Sequence, residues 1–197
     1  MKPVTTIEGS MVPLPRSNVD TDQIMPKQFL KRVERTGYGE YIFYDWRRDE
    51  DDFVLERPEY QAAKVLVSGA NFGSGSSREH APWGLQDWGF EAVIAPSFAD
   101  IFRNNCTKIG LLPVELSDKE VQWLIELAQA EPGAEITIDL AGQTVTYGSE
   151  FSARFDLDEF TKHRLLNGLD DIGLTLRHAS DIDRFERARS RHLPTVS

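Results

Sequence analysis

The stretch KVLVSGANFGSGSSREHAPWGLQDWGFEAVIA, residues 64–95, decides the fold. It opens on KVLVS, a short β-branched strand, passes through a glycine-rich loop at 69–75, and continues as a helix expected over about 77–88. EAVIA (91–95) then reads as a second buried strand. Strand, helix, strand is the repeating unit of a mainly parallel sheet with crossover helices.

The unit repeats towards the C-terminus. SFADIFRNNC (97–106) predicts a helix with Ser97 as N-cap and Asp100 as its capping partner. GLLPVEL (110–116) predicts a third strand, and Asp118 is expected to cap the helix KEVQWLIELAQA (119–130). Beyond Pro132-Gly133 the period shortens to two in EITIDL and QTVTYG, a hairpin about a two-residue turn at Ala141-Gly142. A helix over 158–167 stops at Gly168, and IGLTLRHASDIDRFERAR (172–189) reads as a last helical stretch. Upstream, residues 11–26 carry Pro13, Pro15 and Pro26 and read as strand then loop. Residues 27–57 end in four acids, Asp49 to Asp52, expected to be a solvated loop rather than a metal site. The expectation is an α/β chain with one domain over 1–197. Its tail, from Arg184 through Arg187, Arg189 and Arg191, is read as a flexible terminus, with docking on a partner as the alternative.

Composition narrows the chemistry. With 197 residues, 40% hydrophobic and 27% charged, the chain has the make-up of a soluble globular protein. It carries no apolar run of the roughly 18 residues that would span a membrane. MKPVTTIEG has no apolar signal core, so a cytoplasmic setting is expected. The net charge of −10 argues against nucleic acid but leaves room for an anionic substrate at a local cluster of Arg, Lys and amide groups. Cys106 is the single cysteine, which excludes an intrachain disulfide and a cysteine-only metal or cluster site. The four histidines, His80, His163, His178 and His192, show no paired spacing of the HExxH kind. Any metal must take most of its ligands from another chain.

The chemistry-bearing motif is GANFGSGSSREHA, 69–81. Between a strand and a helix, its N–H groups and the helix dipole converge on one spot. Gly69, Gly73 and Gly75 let the backbone turn and approach a ligand. Ser76, Ser77 and Arg78 stand at the mouth, where Arg78 can grip a carboxylate with two parallel bonds. The P-loop, GxGxxG and GxSxG patterns all fail here. From spacing alone, an anion site and a purely structural glycine turn both stay open.

Four segments carry a family resemblance: NVDTDQIMP (18–26), GANFGSGSSREHA, SFADIFRNNCTKIGLLPV (97–114) and NGLDDIGLTL (167–176). With all four in order, the chain resembles the small subunits of 3-isopropylmalate dehydratase, which are similar in turn to the swivelling domain of aconitase. The resemblance implies a β/β/α swivelling fold and a large partner subunit that holds a [4Fe–4S] cluster on three cysteines, with no cofactor bound by this chain. It further implies interconversion of 2- and 3-isopropylmalate, in leucine biosynthesis, by loss and re-addition of water.

On that resemblance, Ser76 as its alkoxide is the base that takes a proton from a carbon beside a carboxylate. Ser77 helps hold a substrate carboxylate and Arg78 pairs with it. Asp22 matches the aspartate expected to pair with a histidine of the large subunit; its alternative is a turn-forming residue. Across an alignment gap, Arg32 falls near where aconitase carries another substrate arginine, with Lys31 beside it. The segment 28–39 would lie over the substrate, with Phe29 and Leu30 as apolar surface and Leu30 as the specificity residue; loop packing is Leu30's alternative. His80 is read as steadying the loop by hydrogen bonding, and Cys106 as a small buried apolar residue. Two rival functions remain: a related hydro-lyase of the homoaconitase or citramalate type, acting on another small dicarboxylate, and a non-catalytic anion-binding module.

Overall fold

The computed structural model describes residues 1–30 and 36–189. Thr6–Leu14 forms β1, Val65–Ser68 β2, Ala92–Ala95 β3 and Leu112–Glu115 β4, and these pair in parallel in the order β4-β3-β2-β1. On the far side of β1 the sheet continues antiparallel through Glu135–Asp139 (β5), Thr144–Tyr147 (β6) and Phe151–Arg154 (β7). β1 is therefore the hinge strand of the sheet, parallel to β2 at Met11–Leu14 and antiparallel to β5 at Thr6–Ser10.

The reason for the parallel half lies in burial. All four residues of β2 and of β3 are buried, as parallel strands covered on both faces require. Alternation then sorts their side chains between two cores. Leu66 and Val93 enter one core, with Ile24, Met25, Phe72, Leu85, Phe102 and Cys106. Val65, Val67, Ala92 and Ile94 enter the other, with Val121, Leu124 and Ile125. Along the chain the helices are α1 (Thr21–Ile24), α2 (Tyr44–Asp49), α3 (His80–Trp88), α4 (Asp100–Ile109), α5 (Asp118–Ala130), α6 (Glu159–Leu166), α7 (Asp171–Leu176) and α8 (Ala179–Ala188). α3, α4 and the segment up to Ala63 supply the first core, and α5 covers the second. The Tyr60 hydroxyl, donating to the Ala128 carbonyl at 3.0 Å, ties the two coverings together.

The strand–helix–strand order follows the sequence, while several ends differ for local reasons. The helix expected from 77 begins at His80; ahead of it the Ser76 carbonyl is taken by the Thr21 hydroxyl and the Arg78 side chain by Asp22. The helix expected from Ser97 begins at Asp100 with Ala99 as N-cap; the Ser97 hydroxyl is instead taken by the N–H of Asn71 at 2.9 Å. Ser117, not Asp118, caps α5, in a reciprocal box with Glu120. The hairpin turns through residues 140–143, four rather than two, with Gln143 at φ 52°. β7 is a third antiparallel strand that the hairpin pattern did not disclose. The last helical stretch is two helices, broken at Arg177-His178. DTDQI, read as loop, coils into α1, because Asp20 and Gln23 cap each other reciprocally at 2.8 and 2.9 Å.

Of the four acids at 49–52, three are paired: Asp49 with Arg48, Glu50 with Arg16 and Asp52 with Arg57. Arg184, Arg187 and their neighbours to Ala188 lie in α8, and residues 190–197, with Arg191, fall outside the described residues. Among the described residues no helix is long and apolar enough to cross a membrane.

Candidate functional site

The loop that leaves β2 is clamped on two sides. On one side lies the segment that leads into α1. Asn18 N–H donates to the Ala70 carbonyl at 2.8 Å, and the Asn71 amide donates to the Asn18 side-chain oxygen at 2.9 Å. Gly73 and Ser74 N–H both donate to the Val19 carbonyl, at 2.8 and 3.2 Å. Thr21 N–H then donates to the Ser74 carbonyl at 2.8 Å. On the other side, Phe72 N–H donates to Ser97 and Ala99 N–H to Phe72, each at 3.0 Å. Two asparagines, Asn18 at φ 56° and Asn71 at φ 58°, take left-handed conformations that Asn tolerates better than other side chains.

Two of the glycines are demanded by close approach. A Cβ on Gly69 would stand 2.7 Å from the Arg16 carbonyl oxygen. Gly73, at φ 76°, has the Phe102 ring where its Cβ would be, 2.1 Å from that ring's Cγ. The loop therefore lies directly on the core side of α4.

At the end of the clamped loop Asp22 and Arg78, two of the residues singled out from the sequence, come together, with Ser76 and Ser77 beside them in the chain. Arg78 and Asp22 form a two-pronged ion pair, Nη1–Oδ1 2.5 Å and Nη2–Oδ2 3.1 Å. The Arg78 side chain is 19% exposed and that of Asp22 46%. Ser76 and Ser77 face outward, and among the described residues neither hydroxyl has a hydrogen-bond partner. The Ser76 carbonyl accepts from Arg78 N–H at 2.8 Å and from the Thr21 hydroxyl at 3.0 Å. Because α3 starts at His80, Ser76–Arg78 stand ahead of its first turn rather than within it.

His80 steadies this junction by ring packing, not by hydrogen bonding. Its imidazole meets Tyr38 edge-on at 5.2 Å and Trp83 at 4.8 Å, and among the described residues its ring nitrogens make no hydrogen bond. Burial pushes its pKa below the ordinary 6.5, with Glu79 opposing and Arg78 adding to the shift. Leu30 is partly buried against the first core, beside Phe29, which stacks on Tyr41 at 4.3 Å. Lys31 and Arg32 lie outside the described residues.

The chain's own donors do not suit an iron–sulfur cluster. Cys106 is wholly buried, and burial pushes its thiol well above the usual range. Among the described residues no group of three His, Cys, Asp or Glu side chains could hold a metal.

Thr21, Asn18 and Asn71 hold the loop without having stood out in the sequence, and Ser97, expected only as a helix cap, holds it too. The pattern D-x-x-Q at Asp20–Gln23 is a capping signature that could have revealed α1 and so the placement of Thr21 and Asp22 on it. The asparagine pair carries no comparable signal, since its partner lies 53 residues away.

Comparison with known proteins gives a consistent picture. The family model described as the aconitase C-terminal domain matches residues 1–119. The model described as LeuD_N matches 124–159, and the model for the C-terminal domain of the 3-isopropylmalate dehydratase small subunit matches 171–196. A 3-isopropylmalate dehydratase small subunit of Rubrobacter xylanophilus is 57% identical over 196 residues, covering 100% of both chains. One from Halalkalibacterium halodurans is 52% identical over 194 residues, covering 96% of this chain and 100% of that one. The crystal structure of a 3-isopropylmalate dehydratase from Methanocaldococcus jannaschii superposes with a TM-score of 0.67 at 24% identity, over 91% of this chain and 99% of the other, and so shares the fold.

Proposed function

This chain belongs to the family of 3-isopropylmalate dehydratase small subunits, and from that premise we propose that it is the small subunit of an isopropylmalate isomerase. It interconverts 2- and 3-isopropylmalate by loss and re-addition of water, together with a large subunit that brings a [4Fe–4S] cluster. The observation that carries the reading is the convergence of Asp22, Ser76 and Arg78 at one rigid junction, from positions up to 56 residues apart in the chain. None of the three is needed to fill the core.

The work of this chain's residues follows from that geometry. Arg78 offers a planar fork to a substrate carboxylate, and the outward Ser77 hydroxyl offers it a further donor. Binding fixes the neighbouring C–H beside Ser76. The Ser76 alkoxide takes that proton while an acid of the large subunit, facing Asp22, protonates the hydroxyl on the adjacent carbon, which departs as water. In re-addition of the other sense Ser76 returns its proton to the carbon that lost the hydroxyl, and the acid takes one back from the incoming water. A serine oxygen is a weak base in water, so its anion needs local positive potential; Arg78, two residues on, contributes only what its pairing with Asp22 leaves, and the loop amides and the large subunit must add the rest. The exposure of Ser76 and Ser77 fits a half-site that a second protein surface completes and dries. Asp22 orders Arg78 within this chain, and its outward oxygen surface leaves it open to a group of the large subunit.

The test is co-purification with the cognate large subunit under anaerobic conditions, followed by assay of a panel of malate derivatives. The expected result is the highest kcat/KM on isopropylmalate. A preference for homoaconitate or a methylmalate-type acid would assign the chain to a sister hydro-lyase, and binding without turnover of any of them would make it an anion-binding module.

A further inference from the structure

We infer that Thr21 is a positioning residue for Ser76, holding the base in register through its main chain without touching substrate. The inference rests on Ser76 being the base, as proposed above. Thr21 is 1% exposed, an unusual place for a hydroxyl, and both of its donors go to the same loop. Its N–H donates to the Ser74 carbonyl at 2.8 Å and its hydroxyl to the Ser76 carbonyl at 3.0 Å. Between those two carbonyls lies Gly75, at φ 90°, a left-handed position that glycine takes without strain. Thr21 thus spans the glycine like a strut: a Cβ on Gly75 would stand 3.7 Å from the Thr21 hydroxyl oxygen and 3.9 Å from its nitrogen.

The strut is itself fixed. Thr21 opens α1, its carbonyl accepts from Met25 N–H at 2.9 Å, and the reciprocal Asp20–Gln23 cap locks the residue before it. Among the described residues, the Thr21 hydroxyl is the one side chain that bonds to Ser76, whose own hydroxyl is unpartnered there. Without it, Ser76 hangs between a left-handed glycine and the Arg78 N–H. A shift of about 1 Å in a reacting group can cost on the order of 100-fold in rate.

The experiment uses the complex with the cognate large subunit. It sets Thr21→Val, which keeps the shape and removes the hydroxyl, against Thr21→Ser, which keeps the hydroxyl. Each is made with Ser76 intact and with Ser76→Ala. Thr21→Val is expected to lower kcat by roughly 10–100-fold, with KM changed by no more than about 3-fold, since Arg78 keeps its own partner. Thr21→Ser is expected to restore most of the rate. In the Ser76→Ala background Thr21→Val should add no further loss, because it acts through the residue already removed. If Thr21→Val does not assemble, Thr21→Ala carries the same comparison with serine. A near-normal kcat for Thr21→Val, equal losses for valine and serine, or the same fold-loss with and without Ser76 would each overturn the inference. Ser76→Ala alone reports on the base itself: normal turnover there fails the parent reading, whatever Thr21 does.

Discussion

Asp22 and Arg78, 56 residues apart, meet in a two-pronged ion pair, so the arginine expected to grip a substrate carboxylate already holds a carboxylate of its own chain. The pair orients the plane of the guanidinium, and it joins α1 to the end of the glycine loop.

That pairing has a measurable strength. With Asp22 nearly half exposed, the coupling should be about 1 kcal/mol or less. A double-mutant cycle of Asp22→Asn and Arg78→Met, read by urea unfolding of the chain, checks it; additive effects would mean that the pair adds nothing to stability in solution. In the assembled enzyme, Arg78→Lys should also raise KM by on the order of 10-fold, because a point charge loses one arm of a charge-assisted contact.

Gly73→Ala is expected to be among the more damaging single-methyl additions in the chain. Its φ of 76° disfavours any side chain, and the new Cβ would overlap the Phe102 ring, which is buried and cannot swing away. Left-handed strain and overpacking together suggest a loss on the order of 3 kcal/mol. The check is the urea midpoint of the variant against that of Gly133→Ala, where φ is also positive but nothing stands within 4 Å. Similar losses at both sites would mean that the Phe102 contact is not what demands a glycine.

Most of the parallel half was legible in the sequence, because its signals are local and strong. KVLVS and EAVIA are apolar runs short enough to be strands, and the glycine loop between strand and helix is punctuation of a familiar kind. The candidate site was legible as a run of neighbouring residues but not as a constellation. Ser76, Ser77 and Arg78 are contiguous and read together, whereas their ties to Thr21 and Asp22 join segments more than 50 residues apart, and no periodicity encodes such a meeting. Helix ends fared worst. Ser97 has the chemistry of an N-cap, yet its hydroxyl is used by Asn71, a tertiary demand that overrides the local preference.

Leu30 is proposed as a specificity residue, and its partial burial against the first core leaves part of its surface available for that role. Leu30→Ala should weaken isopropylmalate turnover modestly, by the roughly 1–3 kcal/mol that an apolar contact contributes, while sparing a smaller methylmalate-type substrate. Leu30→Arg should hurt isopropylmalate more, by setting an unpaired charge against its branched group. Measured kcat/KM values on both substrates decide the matter; equal losses on the two would leave Leu30 with packing alone.

Cys106, fully buried with its thiol pushed up by burial, should be inert in the folded chain. Alkylation by iodoacetamide near pH 8 is expected to run slower than in urea by on the order of 1,000-fold, since the thiol is reached through unfolding. Labelling at the same rate in both conditions would place the cysteine at the surface. Cys106→Ala should leave the cluster content of the assembled enzyme unchanged.

The most direct measurement is turnover of 2-isopropylmalate by the chain alone, by the chain with its cognate large subunit, and by the same complex bearing Ser76→Ala. No turnover is expected from the chain alone and full turnover from the complex. A fall in kcat on the order of 10²–10⁴ is expected for the serine variant, with assembly and cluster absorbance preserved. Turnover by the isolated chain, or near-normal turnover by the Ser76→Ala complex, would contradict the proposed function.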